Sequence, residues 1–134
     1  MTFRRVITFH AWIVFLPGII FTGWGPMLLP LYGFQAAPEL FPSAGSFVRL
    51  AGVCLIALGA LLGAVRVVQE AKVQRSIARV LVESHLVVIA VVAAQQISVW
   101  VTPLGWVTVA VFLIITAAYA ALLYVPKWRI RVPA

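Results

Sequence analysis

The side chains of this chain with chemistry beyond packing are few: two histidines, three acidic residues and one cysteine in 134 residues. His10 and His85 are the pair of interest, because an imidazole can ligate a metal, carry a proton or bridge two hydrogen-bonding groups. The acids are Glu39, Glu70 and Glu83, too few and too scattered for a paired-carboxylate site. Cys54 stands alone within an apolar stretch. That excludes an internal disulfide, a CxxC redox pair and a cysteine-based zinc site, and it reads as a buried, inert thiol. Gln95 and Gln96 are adjacent in an apolar run and able to bond between helices. No nucleophile–base–orienter arrangement stands out, so the chain reads as a non-enzyme.

The elements that must position these groups follow from composition. The chain is 64% hydrophobic and 10% charged, against about a quarter charged in soluble domains. Spanning a bilayer takes about 20 mostly apolar residues. Four windows qualify, at about 6–29, 46–68, 80–101 and 104–125, which predicts an all-α integral membrane four-helix bundle forming a single membrane domain over 1–134. The start could pass for a signal peptide, but its apolar run reaches spanning length, so it is expected to be retained. The net charge of +7 does not point to nucleic acid, because the basic residues lie at the ends of the apolar runs. Arg4 and Arg5 precede the first span; Arg66, Lys72, Arg75 and Arg79 fall between the second and third; Lys127, Arg129 and Arg131 follow the fourth. With four crossings these regions share one side and only Arg49 is opposite, which by the positive-inside rule predicts cytoplasmic N and C termini in a bacterial inner membrane. Trp12, Tyr119, Tyr124 and Trp128 are then expected in the cytoplasmic aromatic belt, and Trp24, Tyr32, Trp100 and Trp106 in the outer one.

Within the first span, Pro17 predicts a bend and the Gly23-Trp24-Gly25-Pro26 cluster predicts fraying. Close packing between membrane helices favours small residues. The expected stripes are Ala11, Gly18, Thr22 and Gly25 on the first helix; Gly52, Gly59 and Gly63 on the second; Ala90 and Ala94 on the third; and Ala110, Ala117 and Ala121 on the fourth. Arg66–Glu70 and Arg79–Glu83 are spaced to pair along a helix face. On the third helix Glu83 shares the alanine stripe, whereas His85 shares a nearly opposite one with Val92 and Gln96. If the alanines face the bundle, His85 and Gln96 face lipid or a partner; a helix rotated the other way puts them inside. His10 and His85 lie at similar depth on helices running the same way, so together they could ligate a haem iron, and either could hold a chlorophyll-type magnesium.

The stretch Pro30–Ala64, with Pro30, Gly33-Phe34 and FVRLAGVCLIALGALL, resembles the DoxX-like group of small four-helix bacterial membrane proteins. That group includes subunits and accessory factors of membrane oxidoreductases, so the resemblance implies an accessory role and transfers no catalytic residue. The resulting expectation is a non-catalytic subunit of a larger membrane complex, respiratory or photosynthetic, contacting lipids and other subunits. Its interface would include His85, Gln96 and the tail residues Lys127, Trp128, Arg129 and Arg131. The competing expectation is a small binding module for haem, pigment, quinone or lipid centred on His10 and His85, with a transporter third.

Overall fold

The computed structural model describes residues 2–34, 39–100, 102–125, 128 and 130. Among them are four long α-helices and no strand: α1 (Phe3–Leu28), α2 (Phe41–Val65), α3 (Ala71–Gln95) and α4 (Pro103–Tyr124). Each contains a stretch long and apolar enough to cross a membrane, with mean hydropathies of 1.8, 2.2, 2.1 and 2.3. The proposed windows therefore correspond to four real elements whose ends shift for local reasons. α2 begins at Phe41 rather than near residue 46, with Pro42 in its first turn, where its missing N–H is not needed. α3 begins at Ala71 because the polar segment before residue 80 is itself helical.

Between α2 and α3 the chain turns sharply. Val68 N–H bonds the Val65 carbonyl at 3.1 Å, and the Gln74 side-chain amide donates to the Val68 carbonyl at 2.7 Å. Glu70 is extended (ψ 114°) at the entry to α3, so Arg66 and Glu70 do not share a helix and the expected pairing along one face is lost. In α1 the helix passes through Pro17, and the break falls at Trp24 (φ −116°, ψ 15°). Pro26, two residues on, accounts for it: its ring clashes with the carbonyl four residues back. Beyond α1, Pro30–Tyr32 form a short 3-10 turn that Gly33 ends in the left-handed region (φ 77°), where glycine alone has no Cβ penalty.

The helices associate as two antiparallel hairpins, α1 with α2 and α3 with α4, and α1 also touches α4. The α1–α2 seam is built from small residues seven apart on both helices. Ala11, Gly18 and Gly25 are buried on α1, and Gly45, Gly52 and Gly59 on α2. A Cβ on Gly52 would sit 2.5 Å from the Thr22 nitrogen, and one on Gly59 would sit 2.7 Å from Phe15 Cβ. Those two glycines pack as expected; Gly63 does not, since a Cβ there meets nothing within 4 Å. The glycine repeat is one of sevens, which keeps the small face aligned along two slightly supercoiled helices, and the Gly59/Gly63 spacing of four carries its second member off the seam.

α3 is rotated the other way from the alanine-inward alternative. Ala90 and Ala94 are exposed, while Ala78, His85 and Gln96 are buried. The reason is chemical: alanine loses little at the outer surface, whereas inside the Gln96 carboxamide reaches the Thr102 carbonyl and the His85 ring packs against His10 and Phe112. α4 likewise leaves Ala110 and Ala117 outside and buries Gly105, Val109, Ile115, Thr116, Tyr119, Leu122 and Leu123. Cys54, expected to be buried, is exposed. Past α4 the chain returns to its own bundle: the Ile130 N–H bonds the Leu122 carbonyl at 3.0 Å, and the Ile130 side chain joins the core.

Candidate functional site

Three helices bring polar rings together in the interior. α1 supplies His10, α3 supplies His85 and α4 supplies Tyr119, and all three are almost fully buried. The local reason is the periodicity of each helix. His10 shares a face with Phe3, Ile7 and Val14, and Tyr119 with Ile115, Leu122 and Leu123. Apolar neighbours of that kind drag the polar ring inward with them. The phenol of Tyr119 lies 3.2 Å from His10 Nδ1, within hydrogen-bond reach. The two imidazoles meet edge to face, with centroids 4.8 Å apart and planes at 74°. Phe112 also packs edge to face against His85, at a centroid distance of 5.5 Å. Thr116 contributes packing only, because its hydroxyl is engaged with the Phe112 carbonyl of its own helix at 2.7 Å.

This arrangement leaves two buried ring nitrogens without protein partners, His10 Nε2 and His85 Nδ1. Buried polar atoms are nearly always satisfied; among the described residues Arg75 Nε, Gln96 Oε1 and Thr102 Oγ1 are further exceptions, but these two belong to rings in contact and so mark a place able to receive something. The hydrogen bond to Tyr119 occupies one nitrogen of His10 and so leaves the other directed elsewhere, the way an outer partner orients a ligating histidine.

The geometry also limits the guest. Axial ligation of one haem iron by both rings needs two metal–nitrogen bonds of about 2 Å in line, hence centroids roughly 6 Å apart with a macrocycle between them. At 4.8 Å the rings touch, so an iron shared between them would require the helices to part. A small cation held at a bent angle, or a polar headgroup reaching both nitrogens, is compatible with that spacing. Among the described residues no third histidine, cysteine or acid joins the pair.

The remaining site expectations divide. His85 and Gln96, read as interface residues, are inside the protein. Gln96 begins a π-helical turn (Gln96–Trp100) and its amide donates to the Thr102 carbonyl, closing the α3–α4 connection. Its side chain lies against Gly105, where any Cβ would collide with it. It is a structural brace. Trp128 is partly exposed at the end of the bundle, and Lys127, Arg129 and Arg131 lie outside the described residues. Tyr119, assigned to an aromatic belt on sequence grounds, belongs to the site. Its signal was there: an antiparallel α4 brings position 119 to the depth of His10 and His85. Compared with known proteins, the chain matches no family model, no curated protein and no solved structure at a significant level.

Proposed function

We propose that this chain is a four-span protein of the bacterial inner membrane, with both termini cytoplasmic, that binds a small ligand at His10 and His85. The observation that carries the reading is the pair of unpartnered ring nitrogens at the meeting point of α1, α3 and α4. Membrane insertion is supported by the outer surface, where Phe9, Met27, Phe47 and Ile97 are 60%, 74%, 72% and 72% exposed, a coat with no place in water. Orientation is supported by the distribution of basic residues. The ligand supplies polar or coordinating atoms to both imidazoles at once, which fits a first-row transition-metal ion or a compact carbonyl or hydroxyl headgroup such as that of a quinone. The test is to purify the full chain in mild detergent and assay metals, absorption spectrum and organic extract, alongside His10→Leu and His85→Leu. A ligand present in wild type and lost in both variants is the expected result. A folded wild type with neither metal nor organic ligand, matched in stability by both variants, overturns the reading.

A second reading, an accessory subunit of a larger membrane complex as the DoxX-like resemblance implies, draws on the outward face of α3. There Glu83, Ala90, Ala94 and Gln95 are exposed among Val80, Val87 and Val91, so that small and polar positions interrupt an otherwise apolar surface. Co-purification of a stoichiometric partner, lost on Ala90→Leu with Ala94→Leu, distinguishes it from the first.

A further inference from the structure

At the end of the α1–α2 seam nearest Arg4, Arg5 and Arg66, the small-residue contact opens into a groove of about 140 Å³. It is lined by Ala11, Trp12, Phe15, Gly59, Gly63 and Arg66, with Thr8 as the one uncharged polar side chain. It opens because α2 has no side chain at Gly63, and a Cβ there would meet nothing within 4 Å. The seam's register supplies the rest. Gly18 lies against Gly52 and Ala11 against Gly59. One heptad further toward the helix ends, the same register puts Arg4 level with Arg66 and Arg5 beside it. All three arginines are exposed. The groove thus has Arg66 in its lining, with Arg4 and Arg5 near the same end of the hairpin by the register of the seam.

We propose that this groove is a specific site for an anionic phospholipid, with the phosphate held by Arg66 and by Arg4 or Arg5, and one acyl chain laid over Gly59 and Gly63. The chemistry at each end fits that occupant. Arginine offers a forked set of donors matched to phosphate oxygens. The indole of Trp12, 55% exposed, stands where an amphipathic ring meets headgroup and chain together. Apart from Thr8 and Arg66 the lining is apolar side chain and glycine backbone, a surface suited to a methylene chain. A second protein helix is a poorer occupant, because three arginines at one level would have to be neutralised by its acids. The site is independent of the histidine cluster, whose residues do not line it.

Native mass spectrometry of the detergent-purified full chain, with phosphatidylglycerol and phosphatidylcholine of identical acyl chains added in parallel, tests the proposal. Phosphatidylglycerol adducts are expected to outnumber phosphatidylcholine adducts by roughly fivefold for each engaged arginine. Arg66→Gln should remove about that factor of preference and leave the weaker phosphatidylcholine binding in place. Gly63→Leu should fill the groove and remove both adducts; because the space beside Gly63 is empty, the variant is expected to fold, which a thermal transition no lower than that of wild type checks. Equal adducts for the two lipids in wild type, or wild-type adducts in a folded Gly63→Leu variant, overturn the proposal. So does displacement of phosphatidylglycerol by an equimolar uncharged quinone, which assigns the groove to an isoprenoid tail.

Discussion

Tyr119 is the only described side chain that hydrogen-bonds His10, so removing one oxygen atom asks how much that bond matters. Tyr119→Phe leaves both nitrogens of His10 without a partner while keeping the ring that packs against it. A stranded buried group costs about 1–3 kcal/mol in water-soluble proteins, but interhelical bonds in membranes average nearer ~0.6 kcal/mol. The expected loss is therefore about 1 kcal/mol in a denaturing-detergent titration, and a variant as stable as wild type rules out a structural contribution from this bond. The same residues show what was legible beforehand. His10 and His85 were placed at one depth by counting along apolar runs, and they do meet. Tyr119 went unrecognised because tyrosine near a span end is as well suited to a headgroup belt as to a core. Only the position of α4 against α1 decides between them.

At the level of helices, the glycines separate cleanly by what faces them. Gly52→Leu and Gly59→Leu place a side chain where the backbone of α1 already lies, and must force the hairpin apart. Each is expected to lower stability by about 2 kcal/mol or more, beyond the usual range for modest overpacking. Gly63→Leu should be neutral or stabilising, since leucine in a helix interior is favoured over glycine by up to about 1 kcal/mol. Thermal transitions in one detergent compare all three, and an equal loss at Gly63 would contradict the open space beside it. Gly105→Ala should be more damaging than its size implies, because the brace formed by Gln96 would have to leave the Thr102 carbonyl. The seam on α1 was readable in the sequence from Ala11, Gly18 and Gly25. The rotation of α3 was not. Its two stripes, alanines with Glu83 and histidine with Gln96, lie about 200° apart, and a rule based on small residues alone selects the wrong one. Burial of the imidazole and the carboxamide overrides it.

For the molecule as a whole, the chain order of the basic residues predicts that reporter fusions at Ala134 and at Ala36–Ala37, both outside the described residues, label opposite sides of the membrane. Labelling on one side would remove a span and with it the parallel course of α1 and α3 that brings the histidines together. The two hairpins are also unequal partners in time. The α1–α2 seam joins neighbours in sequence and can close as soon as α2 has left the ribosome. In the membrane proposed above, His10, whose partners His85 and Tyr119 lie on α3 and α4, would then face lipid until those helices are made and dock. On the proposed topology, synthesis of this protein would therefore pass through a half-built stage marked by one exposed polar ring on a tightly closed hairpin. A chain ended after Arg66 should insert, pair its two helices and still be removed by membrane quality control. Replacing His10 with leucine in that same fragment should lengthen its life, and a half-life indifferent to the change would show that the cell does not read this ring as a sign of unfinished assembly.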